Sequence, residues 1–277
     1  MLLVSVNVFS KCKLTRDIVS LSGPVSFYLL ELDLINDPKL RAVSLYHDFL
    51  HDKYKGRWIG GGIYLSTKEF KKISGEYEIF LDESLEMRKR IEKLKKKIPS
   101  VRSAQWIKTR GKSALAIVDE LNFLIKKNTQ GCEEKIGEIK RKISDTLTRL
   151  MNFKFLPMKH LFYLGVVKNF QNKKIMVAND LFLVNLKKNS SFQYYPTSLE
   201  YLSPSSKTLK AMEEESIVFG LNSNKKEKFE YISNKKNIYN IFSYGLLAPG
   251  LSQIYFISEL LDFYEDVVKS KAPKESK

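Results

Sequence analysis

The chain has 277 residues, of which 43% are hydrophobic and 12% aromatic, a balance that excludes a disordered chain. Lys and Arg number 47 against 31 Asp and Glu, leaving a net charge of +16. Only two cysteines, Cys12 and Cys132, are present, which excludes a disulfide-dense scaffold and an all-Cys zinc site.

Residues 2–9 alternate around Val4, Val6 and Val8, which predicts a strand. The charges Lys11 and Lys13 follow this apolar run, the reverse of the order in a signal peptide. No stretch approaches the ~18 apolar residues of a spanning helix. With two unpaired thiols, the expectation is a cytoplasmic protein with no transmembrane segment.

The fold class expected is α+β, in three parts. Residues 1–83 read as a mixed α/β part with no net charge. A second apolar run covers residues 25–35. Asp37 and Pro38 then have the form of a helix start, with a helix expected to about Tyr54 and a stop at Gly56. Its apolar stripe is Leu40, Val43, His47, Leu50 and Tyr54. Residues 59–65 and 76–81 are strand candidates, the first around the glycine cluster Gly60, Gly61 and Gly62.

Residues 84–154 form a basic helical block, a bundle or hairpin insertion of net charge +11 (19 basic, 8 acidic). Three apolar stripes define it: Met87 to Ile98, ended by Pro99; Ala114 to Ile125; and Ile136 to Leu150. Residues 155–268 are β-rich and end in a helix over about 252–268. Residues 161–168 and 175–179 read as a hairpin, and 181–186, 217–221 and 229–233 as further strands. Residues 269–277 read as a disordered tail.

The local charge excess points to a non-enzymatic nucleic-acid-binding protein, with RNA or DNA as partner. Lys89, Lys93, Lys96 and Lys97 fall near one another on a helix, where like charges repel and a polyanion would relieve them. Arg102, Lys108, Arg110 and Lys112 surround Trp106, whose indole would stack on an unpaired base. Residues 225–239 repeat the basic and aromatic mixture. One alternative is a metal-dependent, nuclease-like enzyme. A second is an assembly protein whose basic block docks on an acidic partner.

Few residues suggest chemistry. His47 and His51 stand at the spacing of metal ligands on a helix and resemble the zinc-protease pattern, with Asp48 where Glu is usual. A hydrogen-bonded core histidine is the competing reading of His47. Gly111, Lys112 and Ser113 match the end of a phosphate-binding loop, but Trp106 stands where its first glycine belongs, and Ser113 as a helix N-cap explains the same residues. The pairs Asp82–Glu83 and Asp119–Glu120 are candidate Mg²⁺ ligands only if distant acids join them. The wide apolar arc of the last helix, Ile254, Phe256, Ile257, Leu260 and Leu261, predicts burial on two sides or a protein partner, including self-association.

Overall fold

A computed structural model describes residues 11–45, 47, 50, 52–60, 65–83, 85–109, 112–152, 159–168, 173–179, 199–202, 216–220, 238–240 and 250–271. The chain divides into two compact units. Unit 1 comprises residues 1–110 and 116–142, and unit 2 residues 111–115 and 143–277.

Unit 1 is built on five parallel strands. These are β2 (Ile18–Ser20), β3 (Leu40–Ser44), β4 (Trp58–Ile59), β5 (Tyr77–Asp82) and β6 (Val101–Ile107), in the spatial order β4-β3-β2-β5-β6. The short strands β1 (Lys13–Leu14) and β7 (Thr129–Gln130) pair separately and antiparallel. Helices α1 (Gly23–Glu31), α2 (Thr67–Phe70), α3 (Leu85–Lys97) and α4 (Ala114–Asn128) complete the unit with the first half of α5 (Glu133–Asn152).

The topology places the helices. From β2 the chain crosses through α1 to β3 on one side, whereas α3 carries it from β5 to β6 on the other. Right-handed crossovers in opposite directions put α1 and α3 on opposite faces of the sheet. Both faces are therefore covered. All three residues of β2 and the first five of β5 are buried, the continuous pattern of a parallel sheet. One core joins Val19, Ile79 and Leu81 of the sheet to Phe70 of α2 and to Ile91 and Leu94 of α3. On the other face Tyr28 of α1 donates its hydroxyl hydrogen to Asn122 Oδ1 of α4.

The helix expected over residues 38–54 is corrected at its start, where Leu40–Ser44 form the strand β3. Asp37 does not cap a helix. Its Oδ1 accepts from Lys39 N at 2.8 Å, and its Oδ2 accepts from Leu14 N at 3.0 Å. Together these hold an Asx-type turn that feeds a strand. Leu40, Val43, His47, Leu50 and Tyr54 are all buried, so the spacing recorded burial without a helix. The three helices expected from 84 to 154 are present, but α3 does not pack in a bundle. Ile91, Leu94 and Ile98 pack on the sheet, and β6 follows α3 as an additional strand.

In unit 2, β8 (Lys159–Lys168) and β9 (Lys173–Asn179) form the expected hairpin. β10 (Leu199–Leu202) extends it antiparallel, while β11 (Ser216–Gly220) and β12 (Ile238–Asn240) add parallel strands on the other side. The order is β10-β9-β8-β11-β12. Helices and parallel strands thus occur together, as an α/β chain requires. The last helix, α6 (Leu251–Lys271), buries Leu251, Ile254, Phe256, Ile257 and Leu261. Its acidic edge meets α5, where Arg149 Nη2 lies 2.7 Å from Asp262 Oδ1 and 2.8 Å from Glu265 Oε1. The expected segments 2–9, 181–186, 225–237 and 272–277 lie outside the described residues.

Cys12 and Cys132 form a disulfide, which corrects the expectation of two free thiols. The bond is invisible to residue counting because 120 positions separate the partners. Pairing of β1 with β7 brings them together. The crosslink encloses the whole parallel sheet of unit 1. Cys12→Ser is expected to lower unfolding stability by roughly 2–5 kcal/mol, read from denaturant unfolding. A midpoint unchanged by the variant or by reductant would contradict a stabilising role.

Candidate functional site

In an open parallel sheet, ligands bind beyond the carboxyl ends of the strands, at the point where successive connections diverge. In unit 1 that point lies between β2 and β5. Ser20 and Ser22 follow from β2, and Asp82 and Glu83 from β5. Ser22 caps α1: its side chain accepts from Val25 N at 3.4 Å, and Pro24 stands in the first turn, where its missing N–H is not needed. The same Ser22 hydroxyl donates to Asp82 Oδ1 at 2.7 Å, across the divergence. Ser20 and Ser26 hydroxyls lie 2.7 Å apart just beneath, both buried.

Asp82 retains some solvent exposure but is crowded by protein. Desolvation raises its pKa from 3.8 to about 6, against a smaller lowering by the Ser22 hydrogen bond. Glu83 pairs with Arg88, and the Arg88 guanidinium lies 5.2 Å from the centre of the Trp106 ring. At the end of β3, Leu45 is 52% exposed, an apolar side chain beside a polar edge. His47 follows and is buried, and desolvation lowers its pKa from 6.5 to about 3, so the imidazole stays neutral. The edge thus offers a carboxyl group with a raised pKa, hydroxyls, an exposed Leu and a cation-covered indole.

The residues assigned from sequence to nucleic acid fall elsewhere or are engaged. Lys89, Lys93, Lys96 and Lys97 are exposed on the outer face of α3, opposite the side that packs on the sheet. Arg102 is exposed on β6. Trp106 is partly buried against the core and covered by Arg88, so it is no free stacking platform. Lys108 ends β6 with its N–H on Glu120 Oε1 at 3.3 Å. Lys112 is half-buried, and Ser113 directly precedes α4, at the cap position. Arg110, Gly111 and His51 lie outside the described residues. Residues 40–44 form strand β3, and His51 lies outside the described residues, so the His47/His51 pair is not placed. Among the described residues no cluster of three His, Cys, Asp or Glu forms a metal site.

Neither the family models nor the curated proteins match the chain. Solved structures do. A periplasmic heme-binding protein, RhuT from Roseiflexus sp. RS-1, superposes with a TM-score of 0.59 at 13% identity, covering 91% of this chain and 98% of that one. A periplasmic heme-binding protein, HutB of Vibrio cholerae, gives 0.58 at 16% identity, covering 90% and 98%. A siderophore periplasmic binding protein from the fuscachelin gene cluster of Thermobifida fusca gives 0.59 at 11% identity, covering 93% and 97%. The chain shares the fold of these periplasmic binding proteins over nearly its whole length.

This finding overturns three expectations: nucleic-acid binding as the function, RNA or DNA as partner, and a cytoplasmic location. The structures that share the fold are heme- and siderophore-binding proteins of the periplasm. The acidic-docking alternative, built on the same charge excess, goes with them, as does the nuclease-like enzyme, which rested on scattered acids or on His47 and His51.

Sequence reasoning missed Ser20 and Ser22 and read Asp82 only as half of a carboxylate pair. The available signal was Ser22-Gly23-Pro24, a cap followed by proline, directly after the short run Ile18-Val19-Ser20-Leu21. The buried edge titrates in opposite senses. Asp82 binds its proton more tightly in the fold, so its contribution is full below pH 3.8 and is lost as pH rises through about 6. His47 contributes above pH 6.5 and loses its contribution as pH falls toward about 3. Asp82→Asn is therefore expected to stabilise the protein more at pH 8 than at pH 4.5, by about 1–3 kcal/mol in unfolding measurements. An equal change at both pH values would contradict a buried, costly carboxylate.

Proposed function

We propose that the chain is an extracytoplasmic solute-binding protein that takes an iron chelate, of the heme or ferric-siderophore kind, at the carboxyl edge of the unit 1 sheet. The observation that carries this reading is the chain-long fold correspondence, 91% of this chain with 98% of a heme-binding protein. The Cys12–Cys132 disulfide supports the location, because such bonds persist in oxidising compartments. The topological divergence at β2 supports the site. Iron is cargo here. In heme or a ferric siderophore it arrives already held by its own organic chelator. Leu45 suits the apolar face of such a ligand, and Ser22 with Asp82 suits a polar substituent.

The test is titration of the purified protein with hemin and with a panel of ferric siderophores. Binding is read from ligand absorbance and tryptophan quenching. One ligand is expected to bind saturably at one per chain, in the micromolar range or tighter, about −8 kcal/mol or better. Leu45→Asp is expected to weaken it by about tenfold or more, since it puts a charge where apolar contact is proposed. Absence of saturable binding across the panel would overturn the ligand class. Binding indifferent to Leu45→Asp and to Ser22→Ala would overturn the site.

A further inference from the structure

The opposite edge of the unit 1 sheet carries a second feature. Leu40 opens β3, Arg57 directly precedes β4, and Ile73 and Ser74 lie shortly before β5. The strands are parallel, so these segments meet at the amino edge, away from Ser22 and Asp82. With Arg41, Gly56 and Lys72 they line a cleft of about 240 Å³. No Asp or Glu lines it.

The cations are held in place. Arg41 Nη2 donates to Ser74 O at 3.1 Å and Ser74 Oγ at 2.9 Å. Arg57 Nη1 donates to the carbonyl of Lys72. Neutral acceptors orient a guanidinium without cancelling its charge. Arg41 also pairs with Asp17, whose Oδ2 lies 3.5 Å from Arg41 Nε. The loop itself is fitted: Tyr54 donates its hydroxyl hydrogen to Arg57 O at 3.2 Å. Its ring folds so closely over Gly56 that a Cβ there would clash with the Tyr54 hydroxyl. Like charges gathered in a cleft focus a positive potential, and a planar guanidinium presents paired N–H donors to phosphate oxygens.

We propose that this cleft binds a phosphate group, free or carried on an anionic lipid headgroup, through Arg41, Arg57 and Lys72. The site is independent of the solute site, so the outcome of one titration does not decide the other. The test uses the full chain. Inorganic phosphate is titrated by calorimetry at low salt, with chloride as control, and sedimentation is measured with phosphatidylglycerol and with phosphatidylcholine vesicles. Arg57→Gln and Lys72→Gln are compared with the wild type, with thermal unfolding as a check on folding. Lys72 is exposed, and among the described residues its ammonium makes no hydrogen bond, so that variant leaves the loop intact.

Saturable phosphate binding, weakened about tenfold in each variant, supports a free-anion site. Retention on phosphatidylglycerol alone, lost in Lys72→Gln and without binding of inorganic phosphate, supports the headgroup source. Absence of both, or binding that Lys72→Gln leaves unchanged, overturns the proposal.

Discussion

β2 has neighbours on both sides, and the chain moves to β3 in one direction but to β5 and β6 in the other. This divergence parts the connections beyond the carboxyl ends of β2 and β5. A side-chain hydrogen bond bridges the two ends, from Ser22 at the head of α1 to Asp82 at the end of β5. The bond joins an element on one face of the sheet to the strand that feeds α3 on the other. It also sets the chemistry of the edge. Asp82 lies where desolvation favours its protonated form and Ser22 favours its ionised form, and desolvation is the larger effect. A group balanced this way responds to whatever polar substituent a ligand brings.

Charge has a different meaning once it is placed on the fold. The lysines of α3 gave the strongest signal in the sequence, yet they stand on the solvent side of a helix whose other side is fixed to the sheet. Their spacing is that of an ordinary amphipathic helix. The first 83 residues, neutral in sum, are sorted in space. Arg41, Arg57 and Lys72 come together at the amino edge, drawn from the start of β3 and from the segments before β4 and β5. Asp82 and Glu83 stand at the carboxyl edge. Net charge by segment could not show either grouping, because parallel strands bring together residues some 15 to 30 positions apart.

Much of the helical architecture was legible. The stripes from Met87 to Ile98, Ala114 to Ile125 and Ile136 to Leu150 each became a helix, and the hairpin of β8 and β9 followed from its polar turn. Two kinds of element were not legible. Buried parallel strands such as β3 have no alternation, so Leu40, Val43 and His47 matched a helical template by chance of spacing. The edge strand β6 mixes Arg102, Ser103 and Gln105 with apolar residues, as an edge tolerates, and read as a polar link. The site was less legible than the fold. Ser22 and Asp82 are 60 residues apart, and nothing short of the sheet order brings them within bonding distance. The disulfide was hidden for the same reason, since two cysteines in 277 residues carry no spacing pattern.

The central claim is that a solute binds at the carboxyl edge of the unit 1 sheet. Hydrogen exchange of the backbone amides, with and without a saturating iron chelate, tests it most directly. The account predicts slowed exchange at residues 21–25, 45–47, 82–83 and 107–109, with residues 39–41 and 72–75 at the amino edge unchanged. Protection confined to the amino edge, or none in unit 1, would contradict it.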